Sequence, residues 1–262
     1  MRHLAAKLLA ALLVLLITLP FALLLLLSLT RHWHYPALWP QVWQADQWLV
    51  FGDEWRDLAA LALRSVLLAA AVALLATTSG FFTSHAIALQ GHARHWLALA
   101  LLPFAVPPVV YALCLGQGFA ALDLSGHYGG VVLAQWPFAY AYAVLLNHAY
   151  WTRHNLALHE LAMSLGARPG QIWWRVHLPL ARGMLGICLF QTALMSWFDF
   201  ALVRMVGGGR VETLTLRVFD YLGAGDLRQA AAAALLLITP PALALLINPY
   251  LLIPAPLWRA QT

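Results

Sequence analysis

An unbroken apolar run from Leu8 to Leu29, followed by five further blocks of similar length, limits this chain more than any other feature. A run of about 22 residues is long enough, as a helix, to cross the roughly 30 Å hydrocarbon core of a bilayer. It is also longer than the apolar core of a secretion signal, so Arg2 and Lys7 ahead of it read as flanking charges on a retained first span. The other blocks are Ser65 to Leu89, Trp96 to Ala121, Gly130 to Tyr150, Gly183 to Val206 and Gln229 to Ile253. Within lipid every backbone N–H and C=O must be paired, which leaves helices or closed barrels, and none of the blocks alternates as barrel strands do. The expected class is an all-α integral membrane protein with six transmembrane helices in a single domain over residues 1–262. Six spans place both termini on one side.

Composition agrees and narrows the partners. Of the residues 63% are hydrophobic and 10% charged, against about half and a quarter in soluble domains. The formal charge of +5 comes from scattered single residues, so nucleic acid is not an expected partner. Cys114 and Cys188 match no CxxC or Cys/His spacing, which gives no disulfide or metal site to expect. Of the fifteen Lys and Arg, eight fall on the side of the termini and seven on the other, a split that orients nothing. Nine of the ten acids lie on or near the second side, a weak indication that the termini are cytoplasmic. Residues Arg31 to Trp55 carry Trp33, Trp39, Trp43, Trp48 and Trp55, rings suited to the headgroup layer, with His32 and His34 among them.

Residues 159–180, HELAMSLGARPGQIWWRVHLPL, interrupt this pattern with charge, Gly and Pro. Leu158, Leu161 and Leu165 repeat at three and four residues, as on one face of a helix. Gly166 suits a helix C-terminal cap, Pro169 and Gly170 a turn, and Ile172, Trp173 and Val176 resume helical spacing until Pro179 is expected to stop it. The residues alone therefore predict an amphipathic helix, a turn and a second helix outside the hydrocarbon.

Glu160-Leu161-Ala162, three residues, Gly166, nine residues, Val176, one residue and Leu178-Pro179 resemble the EAA loop of binding-protein-dependent ABC transporter permeases. That pattern is EAA, x3, G, x9, I, x, LP. Every spacing fits; Leu161 stands for the middle Ala and Val176 for the Ile. The likeness extends more loosely through LLPFAVPPVVYAL and WFDFALVRMVGGGRVETLTLRVFDYL, with a flavour of permeases for iron, thiamine, polyamines or sulfate. It implies a type I importer fold with a cytoplasmic loop at 151–182. Glu160, Leu161, Ala162, Leu165, Gly166, Ala167, Val176, Leu178 and Pro179 would couple the chain to an ATPase. The implied partners are cytoplasmic ABC ATPase subunits, an external substrate-binding protein, a second permease subunit and membrane lipid. The implied location is the bacterial inner membrane with cytoplasmic termini. No cofactor is expected on this chain, because GxxxxGK[ST] is missing; ATP and Mg would belong to the ATPase.

Inside the apolar blocks, Asp199, Gln191 and Asn147 are candidates for a translocation pathway, the acid above all, and each has the alternative of a bond between helices. Two other classes compete. An intramembrane protease or lipid-modifying enzyme would use Ser84-His85 or His159-Glu160, but HExxH fails because position 163 is Met, and GxSxG is missing. A noncatalytic scaffold would need an interfacial helix but not its spacing to Gly166 and Leu178-Pro179.

Overall fold

The computed structural model describes residues 2–32, 42–43, 48, 55–90 and 93–247. They fall into two compact units, one of residues 1–63 and 213–243, the other of residues 64–212 and 244–262. Apart from one two-stranded ladder, the regular elements of the described residues are helices. Five are long and apolar enough to cross a membrane: Lys7–Ser28, Arg56–Ala88, Tyr128–His148, Pro169–Trp197 and Leu227–Leu246. The protein is an all-α, multi-pass membrane protein.

In the first unit, α1 (Arg2–Ser28) exposes its leucines from Leu8 to Leu19 on every side. A helix apolar all round is at rest only in an apolar solvent, which here is lipid. Strand β1 (Thr30–His32) pairs antiparallel with β2 (Val42–Trp43), Thr30 opposite Trp43. Of the Trp-rich stretch, Trp43 is exposed and Trp48 half-buried; Trp33, Trp39 and His34 lie outside the described residues. The long helix α2 (Trp55–Ala88) begins in this unit and continues through the other.

The second unit holds the core that positions the loop. After α2 come α3 (Ala93–Ala100), a 3-10 turn (Leu102–Ala105), α4 (Pro108–Ala121) and α5 (Tyr128–His148). The block Trp96 to Ala121, expected as one span, is thus three pieces, and its longest helix has 14 residues. Pro103, Pro107 and Pro108 explain the division: each lacks an N–H, and Val106, ahead of two prolines, is extended (φ −106°, ψ 128°). Helices α2 and α5 approach closely through small residues. A Cβ on Gly80 would lie 2.7 Å from that of Ala143, so only glycine permits this crossing. Val72 and Ala76 pack on Ala139 nearby, and Trp136 Nε1 donates to Ser79 Oγ at 3.1 Å.

The chain continues through α6 (Arg153–Ser164), α7 (Pro169–Ile172), a π turn (Trp173–His177), α8 (Leu178–Trp197) and α9 (Ala201–Gly207). The block Gly183 to Val206 is divided at Trp197, and its helix starts earlier than apolarity alone suggests. In the first unit α10 (Leu214–Gly223) follows, and then α11 (Leu227–Ile247), which belongs to that unit as far as Leu243; α10 is capped by Thr213, whose Oγ1 accepts from Leu216 N–H at 3.2 Å.

Candidate functional site

The polar segment between α5 and α8 is fixed at each end by local hydrogen bonds that its sequence dictates. At the entrance Thr152 is the N-cap of α6: its Oγ1 accepts from Asn155 N–H at 3.4 Å, while Asn155 Nδ2 donates to Tyr150 C=O at 2.6 Å. At the exit Gly166 has φ +81°, and two reverse bonds close the helix, Gly166 N–H to Met163 C=O at 2.9 Å and Ala167 N–H to Ala162 C=O at 3.0 Å. This is a Schellman cap, and it requires the left-handed conformation that glycine adopts without steric cost. Gly166 is where the sequence places the helix end.

The apolar face of α6 points away from its own unit. Leu158 and Ala162 are half-buried, but Leu161 is 55% and Leu165 79% exposed. Glu160 is exposed and bonded to none of the described residues. After the turn, Arg168 N–H donates to Gln171 Oε1 at 3.0 Å, and Pro169 occupies the first turn of α7, where its missing N–H costs nothing. Ile172 is fully buried, Val176 half-buried, and Ala167 half-buried beside the cap.

Pro179 does not end the helix, contrary to the sequence expectation. Residues 173–177 form a π turn in which Leu178 N–H reaches back five residues to Trp173 C=O, and α8 continues from there. The wider turn puts Pro179 in the first turn of a new α-helical register, where an absent N–H and the proline ring are both tolerated. Pro169–Trp197 is consequently one continuous helical run of 29 residues. Leu178 and Pro179 are exposed on it.

Beneath the π turn lies a cluster that sequence reasoning missed. His177 is fully buried; its Nε2 lies 3.0 Å from His159 Nδ1 and its Nδ1 3.2 Å from Tyr150 Oη. The rings of His159 and His177 stack at 5.2 Å, and His85 on α2 lies 4.9 Å from His159 and 4.4 Å from the ring of Trp151. Phe81, Trp151 and Trp173 complete an aromatic packing that joins α2, α6 and the π turn. Residues 85, 159 and 177 have no spacing that announces a common site. Among the described residues no group of three His, Cys, Asp or Glu side chains is arranged to hold a metal.

Ser84 Oγ donates to Phe81 C=O at 2.8 Å and accepts from Trp151 Nε1 at 2.9 Å. Its bonds tie α2 to the link between α5 and α6, and neither is to the histidine beside it, so Ser84 and His85 form no nucleophile and base.

No protein-family model matches the chain. Curated relatives do. A molybdenum transport system permease protein, ModB, of Mycobacterium tuberculosis is 33% identical over 162 residues, which cover 56% of this chain and 61% of that protein. Sulfate permease 2, chloroplastic, of Chlamydomonas reinhardtii is 33% identical over 158 residues, 54% of this chain and 42% of its own. A protein of Salmonella typhimurium, provisionally designated the 2-aminoethylphosphonate transport system permease protein PhnV, is 24% identical over 229 residues, 84% of this chain and 83% of its own. The chain is thus similar to permease proteins of several transport systems. It spans about three fifths of the length of ModB and about two fifths of that of the sulfate permease.

The three pathway candidates lie apart. Asp199 accepts from Gln135 Nε2 at 2.8 Å and from Leu202 N–H at 3.4 Å, and Ser196 Oγ donates to Gln135 Oε1. The carboxylate thus caps the start of α9 and links it to α5. Asn147 is fully buried, with Nδ2 3.6 Å from Cys188 Sγ, beside Thr77 and Thr192. Gln135 and Asn147 are twelve residues apart on α5, about 18 Å along its axis. Gln191 is exposed on α8.

Proposed function

We propose that this chain is a binding-protein-dependent ABC transporter permease, the membrane-spanning subunit of an ATP-driven importer, and that residues 151–182 are its coupling segment. The observation that carries the reading is α6: a helix rigidly capped at both ends, with Leu161 and Leu165 turned outward and Glu160 unpaired, at EAA-loop spacing. A short helix transmits force only if its ends are fixed and its apolar face has a socket to enter. The socket belongs to a cytoplasmic ABC ATPase, which binds ATP and Mg, while this chain contributes no catalytic group. Glu160, Leu161, Ala162, Leu165, Gly166 and Ala167 form the docking end; Val176, Leu178 and Pro179 shape the return into the membrane.

The remaining partners are a second permease subunit and an external substrate-binding protein, in a bacterial inner membrane with both termini cytoplasmic. Asp199, Gln191 and Asn147 are proposed to contribute to the pathway or its walls; with the bonds above, Asp199 acts chiefly to hold α5 against α9.

Two measurements test this. Purified in mild detergent, the tagged chain should bring down an ABC ATPase, and ATP hydrolysis should belong to that partner alone. In a Cys114→Ser background, an impermeant thiol reagent should label Gly129→Cys in intact cells and Gln171→Cys only after permeabilisation. The opposite labelling pattern would place α6 outside the cell and end the coupling assignment.

A further inference from the structure

Between α2 and α8 a cleft of about 490 Å³ is lined by Thr77, Phe81, Phe82, Trp174, Leu185 and Leu189, with Arg182 and Gly186 also on its wall. It lies wholly within the second unit. Its volume is in the range of ligand pockets. Its hydroxyls are already used: Thr78 Oγ1 donates to Leu74 C=O at 2.6 Å, and Thr77 Oγ1 lies 3.3 Å from Thr192 Oγ1. Arg182 is the only charged side chain in the lining. It is exposed and has no ion-pair or hydrogen-bond partner among the described residues. An apolar trough with one unneutralised guanidinium has the chemistry of a site for an anionic amphiphile.

The position in the chain says which one. Arg182 lies where the 29-residue helix passes from the polar segment 151–182 into its apolar part, the level at which a long cationic side chain snorkels to the headgroups. Arg153, Arg168 and Arg175 of the same segment are likewise exposed and unpaired, and the only acid between 151 and 182 is Glu160. Basic pockets between membrane helices on the cytoplasmic side recognise anionic lipid headgroups. A second copy of this chain fits worse. A two-fold contact sets the patch as a whole against itself, and the lining offers no acid to meet Arg182 of the other copy.

We propose that the cleft between α2 and α8 holds an acyl chain of an anionic phospholipid whose phosphate is bound by Arg182. Because Trp173 and Trp174 of the π turn form one wall, the lipid would brace the point at which the polar segment joins the membrane. This goes beyond the coupling role and does not depend on an ATPase.

The test is native mass spectrometry of the purified full chain with equal amounts of palmitoyl-oleoyl phosphatidylglycerol and phosphatidylcholine. One phosphatidylglycerol should be retained, with a preference of about five-fold from Arg182, corresponding to about 1 kcal/mol for one basic residue at an anionic surface. Arg182→Gln should bring the preference near one. Arg153→Gln, the same charge change away from the cleft, should leave it in place. Gly186→Phe, directed into open space, should block the trough and release both lipids. Equal lipid binding by the unaltered chain, or equal losses from Arg182→Gln and Arg153→Gln, would overturn the proposal, the second by showing diffuse surface electrostatics. Disulfide cross-linking of two copies through Leu189→Cys, unaffected by added phosphatidylglycerol, would overturn it in favour of a protein occupant.

Discussion

Replacing Gly166 with valine isolates the mechanical role of the α6 cap. Gly166 has φ +81°, and a Cβ placed there would meet nothing within 4 Å. The substitution therefore creates no clash with a neighbouring element, and its cost is confined to the backbone. Left-handed geometry costs an L-residue about 1–2 kcal/mol, more for a β-branched one. A penalty of that size shifts the ratio of capped to frayed helix by a factor of about 5–30. Fraying breaks the bonds from Gly166 and Ala167 back to Met163 and Ala162, and it moves Leu165, the most exposed of the apolar residues on α6. The membrane helices, held by separate contacts, should remain folded. The expected result is normal membrane insertion, weak co-purification with the ABC ATPase and loss of substrate uptake. Gly129→Val is the control, since that glycine also faces open space but lies in α5 without a positive φ. Full ATPase association and full uptake by Gly166→Val would refute the argument that the cap positions a docking helix.

Other outcomes follow from the same geometry. Leu161→Asp and Leu165→Asp, at exposed positions, should change thermal stability by no more than about 0.5 kcal/mol yet abolish ATPase co-purification; a stability loss without a binding loss would mean the leucines pack within this chain. Gln135→Leu removes the side-chain donor to Asp199 and should destabilise the purified protein by about 1–3 kcal/mol in a thermal melt, whereas Gln191→Leu should leave the melt unchanged. Ser84→Ala breaks the bond from Trp151 Nε1 and should cost about 1 kcal/mol; Trp151→Phe breaks the same bond and also shrinks a buried ring, so it should cost more, with the double variant little worse than Trp151→Phe alone. Retained uptake in Ser84→Ala is expected, and its complete loss at normal protein level would revive a catalytic serine.

What was legible in the sequence was local. The Gly166 cap could be read because a Schellman turn is set by residues within six positions, and the long apolar runs because lipid imposes one solution on them. Trp96 to Ala121 misled because apolarity outweighed Pro103, Pro107 and Pro108, whose missing donors divide the block. Pro179 misled in the opposite sense: a stop signal in an α register is absorbed by a π turn, and nothing in WWRVH marks an i to i+5 bond. The His85, His159 and His177 group was illegible for a third reason. It exists only after α2, α6 and the π turn have packed, and the two pairs SH and HE that drew notice, at 84–85 and 159–160, suggested chemistry that the hydrogen bonds of Ser84 do not provide.

The unbroken helical run from Pro169 to Trp197 has a length of about 43 Å, against about 30 Å of hydrocarbon. It is longer than the hydrocarbon is thick, a shaft that carries the turn after α6 on one end. A hinge of loose chain would dissipate a displacement of that end, whereas a shaft delivers it inward as rotation or tilt. The π turn is where this run is held, because Trp173 and His177 are gripped there by Trp151, Tyr150 and His159. On the proposed coupling reading, motion at the outer end would pivot α8 about this point, with the buried Cys188 and Asn147 contact on the inner arm.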